Sequence, residues 1–196
     1  MASKTKQKKK PAESVNYEQK WENPMKRPYL EKIILNIGVG SGGEELERAV
    51  AVLESITGKT PCKTISRKNI KEFNLRKGRP IGVKVTIRDE DAAELLKRLL
   101  IVSNNRIKRA SFDDYGNFGF GIKEHISIPG VEYDNTIGIW GLDAMGRVVR
   151  PGMRVKYRRA HRASIPKDHY VNREETQYFL QKMYNINIVE EIIDEY

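Results

Sequence analysis

An α+β fold is predicted, a mostly antiparallel β-sheet with helices packed on it. It forms a single domain behind a basic N-terminal tail. Three observations lead there. The 196 residues are 39% apolar and 32% charged, which suits one modest core. Short β-branched runs interleave with amphipathic helical runs. They do so without the strict strand–helix rhythm of a doubly wound parallel sheet, and no internal repeat is visible.

In chain order, residues 1–14 are polar and Lys-rich and read as a disordered tail ahead of a folded unit at 15–196. MASKTKQKKK has no apolar stretch behind its positive charges, so a secretory signal is not expected. Residues 17–22 allow a turn or two of helix before Pro24 and Pro28. KIILNIG at 32–38 is a strand, β-branched and closed by Gly38. At 44–57, Leu46, Ala49, Val50, Leu53 and Ile56 recur at helical spacing. Glu44, Glu45 and Glu47 suit the positive end of that helix, and Gly58 stops it. Residues 61–79 are basic with weak periodicity. IGVKVTIR at 81–88 alternates as a half-buried strand, with Ile81, Val83, Val85 and Ile87 on one face. A second helix at 89–101 turns Ala92, Leu95, Leu96, Leu99 and Leu100 inward. FDDYGNFGFG at 112–121 is a turn and a bulged strand. Residues 122–128 and 136–142 are expected as two strands of a meander, and 154–160 as a further strand. A last helix at 173–184 uses Tyr178, Phe179 and Met183 as its apolar stripe.

The charge pattern bears on function. The net charge is +10, which calls for a polyanionic partner. It is concentrated: +5 in residues 1–29, +7 in 63–84 and +8 in 147–173, against −4 in 186–196. Such blocks are footprints, and counterion release from a nucleic acid supplies much of their affinity. A membrane is disfavoured. No apolar run approaches ~18 residues, and the basic blocks hold Gly, Pro and β-branched residues rather than an amphipathic helix. Cys62 is the only cysteine, so neither an intrachain disulfide nor a cysteine-based zinc site is expected, which fits a reducing cytoplasm.

Two phosphate-binding motifs fail on physical grounds. Residues 38–43 (GVGSGG) match GxGxxG between a strand and a helix. The helix opens with Glu44 and Glu45, where a pyrophosphate would need positive charge, and no ribose-binding acid follows at the right spacing. The glycines read instead as a tight turn or a place of close RNA approach. Gly58-Lys59-Thr60 ends a helix where a P-loop begins one, and Leu53 stands where its first glycine is required. His125, His161 and His169 lack metal-like spacing. No catalytic grouping, metal site or cofactor is expected. Phe112, Tyr115, Phe118 and Phe120 among glycines suit either base stacking or a core. Phe73, between Lys71 and Arg76, suits stacking on a base or ribose.

NIGVG (36–40), LESITGKTP (53–61), ISRKNIKEFNLRKGRPIGVKVTIR (65–88), FDDYGNFGFGIKEHI (112–126) and IGIWGLD (137–143) together resemble the large-subunit ribosomal protein five family. The likeness spans about 23–189, and RPGMRVKYRRAHRASIPKDH (150–169) resembles its archaeal–eukaryotic branch. It implies a non-catalytic constituent of the large subunit that carries 5S rRNA in the central protuberance. By that resemblance Asn36, Lys59, Phe73 and Thr86 contact 5S rRNA. Lys59 stands where the family usually has Gln, which implies a phosphate contact in place of a base-specific one. The loop at 61–69 would reach the P-site tRNA elbow with Lys63, Arg67 and Lys68. The family also implies large-subunit rRNA and other large-subunit proteins as partners, and a bridge to small-subunit protein thirteen.

Arg76, Lys77, Arg79, Arg154, Lys156, Arg158 and Arg159 of the basic blocks are expected on ribosomal RNA, where phosphate contacts position rather than specify. Glu132, Tyr133 and Asp134 break the basic pattern, with no cation from 126 to 146. They read as an ordinary turn or, since carboxylates repel phosphate, as a contact for a basic protein. The competing functions are an enzyme using the glycine turn and a general RNA- or DNA-binding protein outside the ribosome.

Overall fold

A computed structural model describes residues 17–40 and 42–190. The Lys-rich stretch at 1–14 and the last six residues of the acidic run lie outside the described residues. The elements are α1 (Tyr17–Trp21), β1 (Tyr29–Gly38), α2 (Glu44–Thr57), β2 (Cys62–Ile65), β3 (Pro80–Arg88), α3 (Asp89–Val102) and β4 (Arg106–Lys108). They continue with β5 (Asn117–Ile122), β6 (Leu142–Val149), α4 (Arg154–Tyr157), α5 (Arg173–Tyr184) and β7 (Asn187–Val189).

Five strands form one sheet in the order β2-β3-β1-β6-β5, every pairing antiparallel. β4 and β7 form a separate parallel pair. The fold is α+β, as the interleaved pattern predicts. Alternation sends Ile33, Leu35 and Ile37 of β1 and Val83, Val85 and Ile87 of β3 to one face. There they are buried with Leu46, Ala49, Val52, Leu53 and Ile56 of α2 and Ala92, Leu95, Leu96, Leu99 and Leu100 of α3. Each large aliphatic side chain placed there stabilises by about 1.5–3 kcal/mol. In α2, Val52 is buried and Val50 only half-buried, one small shift of the predicted stripe. Gly58, in the left-handed region at φ 63°, caps α2 and donates its N–H to Glu54 at 2.7 Å.

The C-terminal half departs from expectation. The strand expected at 122–128 ends at Ile122, and 125–127 form a 3-10 turn around buried His125. Residues 136–141 are turn and coil, and the strand begins only at Leu142 as β6, an interior member of the sheet. Residues 154–160 are not a strand, because 154–157 form the helical turn α4. In α5 the inward residues are Glu175, Thr176, Phe179 and Leu180, while Met183 is exposed. Phe112 and Phe118 are core, stacked with centroids 6.1 Å apart; Phe120 is half-buried and Tyr115 exposed. Phe118 of β5 fills the space above Gly146 of β6, where a Cβ would stand 2.2 Å from the ring.

Glu175 is fully buried and gathers three partners from distant parts of the chain. Arg150, also buried, pairs with its carboxylate. Lys20 reaches it at 3.1 Å and the Trp21 indole N–H donates to it at 3.1 Å. Arg150 also donates to the carbonyl of Asp168 at 3.0 Å. One buried ion pair thus joins α1, the end of β6, the 168–169 turn and α5.

Candidate nucleic-acid interface

The face of the sheet opposite α2 and α3 carries no helix from either. Its side chains fall in rows set by the strand register. One row runs Cys62, Lys84, Asn36, Asp143, Gly121 across β2-β3-β1-β6-β5. The next holds Thr86, Ile34, Met145 and Gly119, and the third Arg88, Lys32, Arg147 and Asn117. Residues directly opposite on paired strands share a face. Asn36 and Thr86 therefore lie one row apart on the same open surface, Asn36 half-buried and Thr86 exposed. Strand rise puts the Asn36 row and the Lys32 row roughly 13 Å apart.

Asp143 next to Asn36 is a feature the sequence reading missed, because it placed no strand there. A carboxylate at that point repels phosphate and accepts hydrogen bonds from amino groups or ribose hydroxyls. Lys84, on the other side of Asn36, is exposed. The period-2 pattern of 81–88 places Lys84 and Thr86 on one face, so this neighbour was within reach of sequence reasoning. In the third row Glu31 draws in both Arg147, at 3.5 Å, and Arg88, at 3.9 Å.

The basic stretch 66–79 is a hydrogen-bonded extension of the β2–β3 hairpin. Ser66 and Arg79 begin it with an N–H···O bond of 2.8 Å. Ile70 and Leu75 pair above them with bonds of 2.9 and 3.0 Å, and Asn69 Oδ1 accepts from the Lys77 N–H at 2.7 Å. The turn between Ile70 and Leu75 is tight, with Asn74 at φ 53°. It presents Phe73 at 70% exposure, as an unburied ring at a loop tip. Among the described residues Arg67, Lys68, Lys71, Arg76, Lys77 and Arg79 meet no carboxylate.

Lys63 and Lys59 are placed differently. Lys63 sits across from buried Val83, on the helix side of β2, and pairs with Glu47 of α2 at 2.5 Å. It is not grouped with Arg67 and Lys68. Lys59 pairs with Asp91 at 2.6 Å and lines a cleft with Thr86, Arg88, Asp89 and Glu90. It is therefore near Thr86 but electrostatically engaged by α3.

The +8 block is partly internal. Arg150 is buried against Glu175, and Arg147 is drawn to Glu31. Arg154 and Arg159 are exposed. The Arg158 Nε donates to the His161 carbonyl at 2.7 Å. Lys156 donates to the Tyr170 hydroxyl at 2.9 Å, a bond that raises its pKa and keeps it charged. In the acidic loop Glu132, Tyr133 and Asp134 are all exposed. Asp134 Oδ1 accepts from the N–H of Thr136 at 2.8 Å and its hydroxyl at 2.7 Å, which lowers its carboxyl pKa and fixes the turn.

Two backbone donors of the glycine turn after β1 are occupied. The N–H groups of Val39 and Gly40 both bond the Ile81 carbonyl, at 3.0 and 2.9 Å, which removes them from a phosphate cradle. Among the described residues no cluster of His, Cys, Asp or Glu is placed to hold a metal.

Comparison with known proteins bears on the same segments. Residues 23–76 match the family model for ribosomal protein L5, and 80–167 match the model for the C-terminus of the same ribosomal family. The large ribosomal subunit protein uL5 of Sulfurisphaera tokodaii is 50% identical over 169 residues, covering 86% of this chain and 96% of that protein. The protein of the same name from Pyrobaculum aerophilum is 48% identical over 166 residues, covering 85% and 93%. That from Nitrosopumilus maritimus is 44% identical over 167 residues, covering 85% and 96%. With an antiparallel sheet bearing Asn36 and Thr86 on its open face, and likeness of this extent along both halves, the chain belongs to the ribosomal protein L5 family.

Proposed function

We propose that this protein, a structural and non-catalytic constituent of the large ribosomal subunit in the cytoplasm, binds 5S rRNA with its open sheet face. In doing so it helps attach that RNA to the large-subunit rRNA. The observation that carries this reading is the pairing of Asn36 and Thr86 on one solvent-facing surface, continued by a basic hairpin with Phe73 at its tip. Asn36, between Lys84 and Asp143, suits a base edge or a ribose rather than a phosphate. Phe73 supplies a stacking ring. Lys59, held by Asp91, adds a phosphate contact at the edge of the cleft beside Thr86.

Arg67 and Lys68, free of carboxylates among the described residues, are the stronger candidates for the P-site tRNA, with Lys63 a weaker one because Glu47 neutralises it. Arg76, Lys77, Arg79, Arg154, Lys156, Arg158 and Arg159 position rRNA phosphates, and the 1–14 stretch adds to them. The acidic loop with Glu132, Tyr133 and Asp134 faces a basic protein, small-subunit protein thirteen, across the subunit boundary.

The test is filter binding of 5S rRNA to the Asn36→Ala, Phe73→Ala double variant, with an unrelated RNA duplex as control. A loss specific to 5S rRNA supports the reading. Wild-type affinity in the double variant, or equal affinity of the unaltered protein for both RNAs, would remove it.

A further inference from the structure

Beyond Asn36 and Phe73, the open face has a second aromatic boundary. Arg147 stands in the third row on β6, and its Nη1 donates to the Tyr157 hydroxyl of α4 at 2.6 Å. Its guanidinium carbon stays 5.8 Å from the Tyr157 ring centre. A donor so near the hydroxyl and so far from the centre lies off the phenolic end, not pressed on the ring face. Lys156 stands 6.0 Å from the same ring but closer, 5.3 Å, to Tyr170, whose hydroxyl takes its bond. The Tyr157 residue is 55% exposed. Its polar end is therefore held while more than half of the residue meets solvent, and Arg154 and Arg158 beside it are exposed. An immobilised ring costs little further entropy when a base stacks on it. Cations at its rim are placed for the phosphates on either side of that base.

We propose that Tyr157 is a stacking platform for one unpaired base of 5S rRNA, its hydroxyl held by Arg147, with Arg154 and Arg158 taking the adjoining phosphates. The site continues the open face through Arg147, at the end opposite the Phe73 hairpin. The proposal rests on the reading of that face as the 5S rRNA surface. A protein partner is disfavoured because the rim is cationic.

Two measurements on the full chain test it. The first is 5S rRNA affinity of the Tyr157→Ala, Tyr157→Phe and Tyr157→Trp variants. The alanine variant should bind roughly 5- to 150-fold more weakly, while Phe and Trp, which keep a ring but lose the Arg147 bond, should lose much less. Equal losses in Phe and Ala would mean that the hydroxyl bond to Arg147, not the ring, matters, and no loss in Ala would remove the site; either result overturns the proposal. The second places a photoreactive benzophenone side chain at position 157 in assembled large subunits. Cross-linking to 5S rRNA supports the platform. Cross-links to large-subunit rRNA or protein, or none at all, overturn it. Failure here, with the Asn36, Phe73 double variant still impaired, leaves the wider 5S rRNA reading intact.

Discussion

Replacing Glu175 by Gln should destabilise the protein without touching its RNA surface. The carboxylate is 1% exposed at its side chain and neutralises Arg150, which is 4% exposed. Arginine does not give up its proton, so the substitution leaves a buried positive charge with a neutral partner. The Gln carbonyl can still accept one N–H, but its amide group would point a second donor at Lys20 or Trp21, which are donors themselves. Removing one member of a buried pair costs about 3–5 kcal/mol. Arg150 keeps its bond to the Asp168 carbonyl, so the lower end applies, about 3 kcal/mol. At 2–4 °C per kcal/mol for a domain of this size, melting should fall by roughly 6–12 °C. Differential scanning calorimetry reads this directly, with 5S rRNA binding measured well below the melting point as the companion assay. The double variant Arg150→Met, Glu175→Leu should recover part of the loss, since an apolar pair carries no desolvation cost, while Lys20, Trp21 and the Asp168 carbonyl lose their partners. A melting change in Glu175→Gln within about 1–2 °C, the range of ordinary surface substitutions, would refute the reasoning. So would a drop in 5S rRNA affinity in a fully folded variant, because it would put Arg150 on the RNA side.

Gly146→Ala should lower the denaturation midpoint by the equivalent of about 1–3 kcal/mol, because its methyl would enter the ring of Phe118; pairing it with Phe118→Leu should relieve part of that loss in urea titrations. Burial holds the His125 pKa below its ordinary 6.5, so on acidification the unfolded chain takes up the proton first. Stability should therefore decline as pH falls from about 6.5, and His125→Gln should flatten that segment of the pH–stability curve; an unchanged slope would show that other groups set it. Charge reversal of Glu132 and Asp134 to Lys should weaken subunit association at low magnesium, read by sucrose-gradient sedimentation, and leave 5S rRNA binding as it was. The opposite pattern would place that loop on RNA.

Elements whose signal lies within one segment were legible. The stripes of α2 and α3 and the alternation of β3 are self-contained, and the structure keeps them almost residue for residue. β6 was not, because its inward position at 146 is a glycine whose space is filled by Phe118 from another strand. A hydrophobe supplied by a neighbour leaves no mark on the periodicity of LDAMGRVV. The four residues of α4 alternate basic and apolar by chance of length, and so short a run fits a strand as well as a helical turn. The site was legible in the same proportion. Asn36 and Thr86 were picked out by the family resemblance, and the strand register adds that they share the open face; Phe73 was also marked by its basic setting. That Lys59 and Lys63 are paired with Asp91 and Glu47, and that Arg150 is buried, depends on contacts between segments far apart in sequence. Counting charges along the chain overstated what the 147–173 block offers to RNA.

The central position of β1 has a consequence for how the chain is made. One neighbour, β3, follows within about fifty residues, since Gly38 pairs with Gly82 and Lys32 with Arg88. The other, β6, is complete only at Val149, which pairs with Tyr29. At roughly 5–20 residues per second, a nascent chain that has just released β3 waits about 3–12 s for β6 to emerge. Throughout that interval the middle strand of the finished sheet is an unpaired edge, lined by Ile33, Leu35 and Ile37 and open to pairing with another chain. Newly synthesised copies therefore pass through a form with an open β1 edge before the last quarter of the sequence exists. The β1 edge is thus the part of the sheet that needs shielding during synthesis, until β6 closes it.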